Sequence, residues 1–402
     1  MLSKDVFFAV NVLVLVCLVK ADSDADITTY PKMEEYVASF GYPIESYDIE
    51  TKDGYFLKIH RIPYGRHSQN TTNRPPVILM HGLFGCSENY IMNGPKGSLS
   101  FEAADAGYDV WLPNVRGSMH SLGHRTLDSK KRDSLYWDFS WHEMGIYDLP
   151  ATIDLILNNT DHDKIAYVGH SQGGAVFLVM ATDLPEYKEK ISVFIALSPA
   201  LLFNHCKHPL LLELMDIDGP PMWEGFQLVK ERKNILYVDY DEIRLIIATI
   251  AKQFPSILPS IVTYIFGESE QIDLKQLIQF SGIFPAGGSV KQLEHFIQVR
   301  EAKSFVHFDY GPEENLKRYN STKPPKYDLK SMDLPTYIYA GQNDIFVAVQ
   351  DLHEIADILP NVKEFYVIPV KKFTHLDFIA ARNLKNLVND RVIRTLDHYI
   401  HT

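Results

Sequence analysis

Between residues 76 and 200 the chain alternates short, almost wholly apolar runs with longer stretches of helical periodicity, and few architectures satisfy that pattern. The apolar runs are Pro76 to Met80, Asp109 to Leu112, Ile165 to Gly169 and Val193 to Leu197; the helical stretches are Ser98 to Ala106, Trp141 to Leu157 and Gly173 to Leu184. Strands covered on both faces read as continuous apolar runs, and neighbouring parallel strands need a crossover between them. The pattern predicts βαβ units and a mostly parallel central sheet with helices on both faces. Ahead of it, Tyr47 to Thr51 and Tyr55 to Arg61 flank Lys52-Asp53-Gly54, a turn signal, and are expected to form a β-hairpin.

The rhythm stops after Ser198-Pro199-Ala200 and resumes only with a strand at Thr336 to Ala340. A helix near Val349 to Ile358, a strand at Glu364 to Val370 and a closing helix from Leu384 to His398 follow. The chain therefore divides into a leader at 1–21, a first core part at 22–200, an inserted, mainly helical cap at 201–328, and a second core part at 329–402. An insertion between sheet strands lies above their carboxyl ends, where such sheets bind ligands.

Gly169-His170-Ser171-Gln172-Gly173 joins a strand run to the start of a helix. The pentapeptide alone is a weak signal, but this context gives it meaning: a turn that sharp leaves no room for side chains two residues either side of the serine. It exposes the Ser171 hydroxyl and aims a helix N-terminus at it, which favours negative charge developing there. A serine nucleophile needs a base and an orienting carboxylate, which in a sheet of this kind follow in the order Ser, then Asp or Glu, then His, the last two on loops after late strands. Asp344 follows the strand Thr336 to Ala340, with Asp333 and Asp351 as competitors. Of the later histidines, His353 lies in a helical run and His398 and His401 in the terminal helix and tail, which leaves His375 in a loop after a strand. The oxyanion donors expected are the backbone N–H of Gln172 and, from His81-Gly82-Leu83-Phe84-Gly85, that of Leu83, with Phe84 as its alternative.

These motifs, together with Tyr42-Pro43-Ile44-Glu45, Ala106 to Leu112, Asn114-Val115-Arg116-Gly117, Tyr147 to Asp154, Asn343-Asp344 and His375-Leu376-Asp377-Phe378, resemble the acid lipase family of animals: the gastric and lysosomal lipases and their insect relatives. The resemblance spans most of the mature chain. It implies the α/β-hydrolase fold and hydrolysis of neutral lipid esters, triacylglycerol or steryl ester, without metal or cofactor. It also implies the roles given above to Ser171, Asp344, His375, Leu83 and Gln172. Two departures stand out. Gly174 replaces a threonine common in the family, which is expected to loosen the elbow turn. The cap holds Cys206 alone, so the family's cap disulfide cannot form and its cap geometry is not carried over.

Met1 to Asp5 and the 14-residue apolar run Val6 to Val19, ending in Lys20-Ala21, read as a secretory signal peptide, too short for a membrane span of about 20 apolar residues; an uncleaved anchor is the competing reading. Sequons at Asn70, Asn158 and Asn320 suit that route, whose destination is the extracellular space or the lysosome. Removing the leader with Cys17 leaves Cys86 and Cys206, enough for one disulfide at most. A net charge of −12 without a basic patch argues against nucleic acid as a partner, so contact with a lipid interface would have to be apolar. The apolar cap runs Leu210 to Leu212, Leu245 to Ile250, Phe254 to Leu258 and Ile261 to Phe266 favour a lipid ester over a small one. An esterase for small soluble esters is the first alternative, and a non-catalytic lipid-binding protein the second.

Overall fold

The computed structural model describes residues 31–68, 73–131, 135–209, 212, 234–235, 256 and 258–400. The expected leader, Asn70, His401 and the apolar runs at 210–212, 245–250 and 254–258, apart from Leu212, Ser256 and Leu258, lie outside the described residues.

The strands are β1 (Glu45–Glu50), β2 (Tyr55–Ile62), β3 (Pro76–Met80), β4 (Asp109–Pro113), β5 (Gly123–His124), β6 (Ile165–His170), β7 (Ile191–Leu197), β8 (Asn234–Ile235), β9 (Gly288–Ser289), β10 (Thr336–Ala340) and β11 (Val362–Val367). Nine form one sheet in the order β1-β2-β4-β3-β6-β7-β10-β11, with β5 against β2. From β4 to β11 every pairing is parallel, and the hairpin β1–β2 adds an antiparallel edge. Every residue of β3, β4 and β6 is buried, which is why they read as unbroken apolar runs. On one face the helices Leu149–Asn159, Gln172–Asp183 and Val349–Ile358 bury Ile153, Phe177 and Leu352. On the other, Met33–Ser39, Leu99–Asp105 and Asp390–Ile400 bury Val37, Phe101 and Leu396. No helix among the described residues is long and apolar enough to cross a membrane.

Two elements differ from the sequence expectation. The helix expected over 141–157 is interrupted by a π-helical turn at Met144–Asp148 before Leu149–Asn159. Pro150 has no N–H for the helical ladder, and the Asp148 carboxylate turns away to bind Arg116. The last strand is Val362–Val367, not 364–370. It is a half-buried edge strand with a blurred apolar pattern. Pro369 cannot join the ladder, so pairing with β10 ends at the buried Ile368, whose N–H donates to the Ala340 carbonyl at 2.9 Å.

Between β7 and β10 lie the helices Leu258–Phe266, Leu274–Ser281, Val290–Ala302 and Pro312–Tyr319, and the short pairing β8–β9. Part of this stretch shares the main core, since Phe296 and Phe305 stack on Trp141 at centroid distances of 5.4 and 5.2 Å. Cys86 and Cys206 are both unbridged and buried, and burial pushes the Cys206 thiol up to about 11.

Two of the sequence motifs meet in a buried ion pair. Arg116, 1% exposed, places Nε 2.8 Å and Nη2 2.7 Å from Asp148, and Nη1 2.6 Å from Asp53 in the hairpin turn. Its guanidinium lies 3.9 Å above the Tyr55 ring. Arg116→Met should therefore cost about 3–5 kcal/mol in urea unfolding, because it strands the buried Asp148 charge. A loss under about 1 kcal/mol would show that the pair is not a structural tie.

Burial also lowers four imidazoles, His60, His81, His208 and His307, from 6.5 to about 4. The unfolded chain protonates them near pH 6.5 and the folded chain only near pH 4, so their neutral burial costs stability as the pH falls through that window. Burial also lowers His142, His170 and His295, while Glu102 and Asp377, raised to about 6, and Asp109, Asp148 and Asp183, also raised, act in the opposite sense but number five against seven among the described residues. The thermal midpoint should be several degrees lower at pH 4.5 than at pH 7; an equal or higher midpoint at pH 4.5 would contradict this balance.

Candidate active site

Ser171 follows β6 directly and precedes the helix Gln172–Asp183, with φ 55° and ψ −120°. Positive φ is costly for a residue with a Cβ, and the surroundings enforce it here. The Ser171 N–H donates to the Leu197 carbonyl at 3.0 Å, while its own carbonyl accepts from the N–H groups of Gly174 at 2.9 Å and Ala200 at 3.0 Å. A Cβ on Gly169 would lie 2.8 Å from the Gly173 backbone, and one on Gly173 would lie 2.7 Å from the Met80 carbonyl oxygen. The expected steric need for both glycines is met. Gly174 meets a packing need of its own. A Cβ there would come 2.5 Å from that of Pro199, so glycine is what lets the helix start pack against the loop after β7.

Asp344 and His375 meet as the sequence order suggests. His375 Nδ1 lies 2.6 Å from Asp344 Oδ2, and both residues are under 10% exposed. Asp344 is held from three further directions. Its Oδ1 accepts the N–H groups of Phe346 and Val347, each at 2.9 Å, and its Oδ2 also accepts the Ser198 hydroxyl at 2.6 Å. With all four donors in place, the carboxylate has one orientation and the imidazole one tautomer, Nδ1–H. The competing residues are engaged elsewhere: Asp333 is exposed and paired with Lys188 at 2.7 Å, and Asp351 binds His205. His353 stacks on Phe365 at 3.9 Å, and His398 lies in the final helix. His170 steadies the other side, since its Nε2–H donates to the His375 carbonyl at 3.1 Å.

The loop after β3 packs against the serine. A Cβ on Gly82 would stand 2.9 Å from that of Ser171, so only glycine allows this approach. The Gly82 carbonyl accepts from Gly85 N–H at 3.1 Å and from His81 Nδ1 at 2.8 Å, while His81 Nε2 accepts the Val115 N–H at 3.3 Å. His81 is thus a neutral buried brace. In a planar trans peptide the C=O and the next N–H point in opposite directions. Fixing the Gly82 carbonyl therefore aims the Leu83 N–H, and the doubly held Ser171 carbonyl aims that of Gln172.

Ser171, His375, Gly82 and Leu83 line one cavity of about 250 Å³. Seven phenylalanines help to enclose it: Phe84, Phe203, Phe266, Phe280, Phe284, Phe296 and Phe346. His208 stacks on Phe346 at 4.2 Å and is kept neutral by burial. A few fixed polar groups at the end of an apolar chamber suit a long nonpolar molecule with one reactive centre.

Sequence reasoning missed Ser198, whose only signal is a small polar residue directly after a fully apolar strand. It also did not single out His81 as a brace or Gln292 as a partner of Gln172.

A family model described as "alpha/beta hydrolase fold" matches residues 75–378, and one described as "Partial alpha/beta-hydrolase lipase region" matches residues 33–94. The chain is 35% identical over 370 residues to Lipase 3 of Drosophila melanogaster, covering 91% of this chain and 92% of that protein. It is 35% identical over 367 residues to gastric triacylglycerol lipase of Rattus norvegicus (90% of each) and 32% identical over 388 residues to Lipase member N of Homo sapiens (94% of each). Among solved structures, one from Acinetobacter baumannii superposes with a TM-score of 0.56 at 15% identity, covering 95% of this chain and 99% of that one, a likeness of fold alone. Family models and relatives agree along nearly the whole chain: it belongs to the lipase family of the α/β-hydrolase fold.

Proposed function

We propose that this lipase cleaves carboxylic ester bonds of neutral lipids, triacylglycerol or steryl ester, with Ser171 as nucleophile, His375 as general base and Asp344 as its orienting carboxylate. The observation that carries the reading is an apolar cavity onto which both the strained serine and the Asp344-held imidazole open. With Nδ1–H committed to Asp344, His375 Nε2 is the basic nitrogen and accepts the Ser171 proton as the hydroxyl attacks the ester carbonyl. The N–H groups of Leu83 and Gln172 receive the oxyanion, aided by the N-terminus of the 12-residue helix that Gln172 opens. His375 then protonates the departing alcohol and afterwards activates the water that hydrolyses the acyl-enzyme.

Residues 201–328 act as a cap, supplying Phe203, Phe266, Phe280, Phe284 and Phe296 to the cavity wall. The substrate is met at an oil–water or membrane interface through apolar contact. A secretory route, ending outside the cell or in the lysosome, is supported by the sequons: Asn158 and Asn320 are both exposed, as glycosylation requires.

Ser171→Ala should lower kcat by up to ~10⁶-fold while the protein still folds, and His375→Ala should approach it. His353→Ala should stay near wild type, because its ring only covers Phe365 at the surface. Purified variants assayed on one emulsified ester check this, and an active Ser171→Ala enzyme would refute the assignment.

Chain length separates a lipase from an esterase for small esters. Each acyl methylene buried among the phenylalanines contributes about 0.8 kcal/mol, so long-chain esters should be preferred over butyrate. The rate should also rise as substrate passes its solubility limit. Activity that peaks on dissolved butyrate and falls steadily with chain length would favour the small-ester reading.

A further inference from the structure

We infer that Gln292, carried by the chain inserted between β7 and β10, is a positioning residue for the oxyanion donors; this rests on the reading of Leu83 and Gln172 given above. Gln292 lies in the first turn of the helix Val290–Ala302, and its Nε2 donates to Gln172 Oε1 at 3.0 Å. Both amides are 1% exposed. Gln292 Oε1 must accept the Ser289 N–H at 2.7 Å, which fixes which end of the amide faces Gln172. Gln172 then has one workable orientation, Oε1 toward Gln292 and Nε2 toward Met144 Sδ at 3.6 Å. A buried amide pair of this kind is directional where a pair of apolar side chains would not be.

The same segment holds the other oxyanion turn. The Ala286 N–H donates to the Phe84 carbonyl at 2.7 Å, and a Cβ on Gly288 would stand 2.8 Å from the Phe84 ring and 2.6 Å from Gln292 Oε1. Residues 286–292 are thus wedged between the two turns that carry the donors. Seating of the inserted chain and alignment of the oxyanion site are one event, and Gln292 is its polar contact with the elbow.

The test uses the full-length enzyme with Gln292→Met, Gln172→Met and the double variant. Each is assayed on a soluble ester and titrated with a trifluoromethyl ketone, which adds to Ser171 as a tetrahedral adduct, and with an unreactive ether analogue of the same chain length. Gln292→Met should lower kcat about tenfold with little change in KM, less than the roughly 10²–10³-fold cost of losing a donor outright. Ketone affinity should fall by a similar factor while ether affinity holds, and the double variant should be no worse than Gln172→Met. Gln292→Asn, whose amide stops short of Gln172, provides the same readout should Gln292→Met not fold. Unchanged ketone affinity, a parallel loss of ketone and ether affinity, or multiplying losses in the double variant would overturn the inference. Failure of the underlying site reading is separate: the wild-type enzyme would bind ketone no more tightly than ether.

Discussion

The backbone at Ser171 is the constraint on which the rest of the site depends. Its φ of 55° carries a strain of order 1–3 kcal/mol, and the chain tolerates it because three backbone hydrogen bonds and two glycines over-determine the turn. Those hydrogen bonds run to Leu197 at the end of β7, to Ala200 just beyond it and to Gly174 in the following helix, so the Ser171 backbone is set by the central sheet. The same bonds that impose the strain also aim the Gln172 N–H. Strain and preorganisation are two descriptions of one peptide.

The neighbouring strand continues this arrangement. Ser198, the residue after β7, gives its hydroxyl to Asp344, which follows the adjacent β10, and Asp344 in turn holds His375 beyond β11. Ser171, Ser198, Asp344 and His375 therefore follow the ends of β6, β7, β10 and β11, four neighbouring strands, and short hydrogen bonds join the last three across the carboxyl edge of the sheet. Around them the polar groups are few. His81 and His170 are neutral and spend their ring N–H groups on backbone carbonyls. In an apolar chamber such fixed dipoles act without the screening water would impose.

Much of this was legible in the sequence because the central strands are buried on both faces and the elbow glycines are a steric necessity. The order Ser171, Asp344, His375 followed from topology once the strands were placed. Reading failed where a residue's role depends on a non-local partner. Ser198 is one serine among many until β7 and β10 are known to be neighbours. Gln292 is a polar position in an amphipathic helix until it meets Gln172, 120 residues earlier. The edge strand β11 lies two to three residues earlier than its apolar pattern suggests because half exposure blurs that pattern, and the π turn inside the helix after Trp141 has no local trace because it goes with the pull of Arg116 on Asp148. Gly174 was read by comparison with a family habit, while the contact with Pro199 that explains it comes from the loop after another strand.

The proposed activity rests on the Ser171 hydroxyl in its aromatic chamber. Its most direct test is to react the purified enzyme with a long-chain fluorophosphonate and locate the adduct by peptide mass spectrometry. A single adduct per chain is expected, on Ser171, formed rapidly and slowed severely when His375 is replaced. An adduct on another residue, or no reaction while the protein is folded, would contradict it.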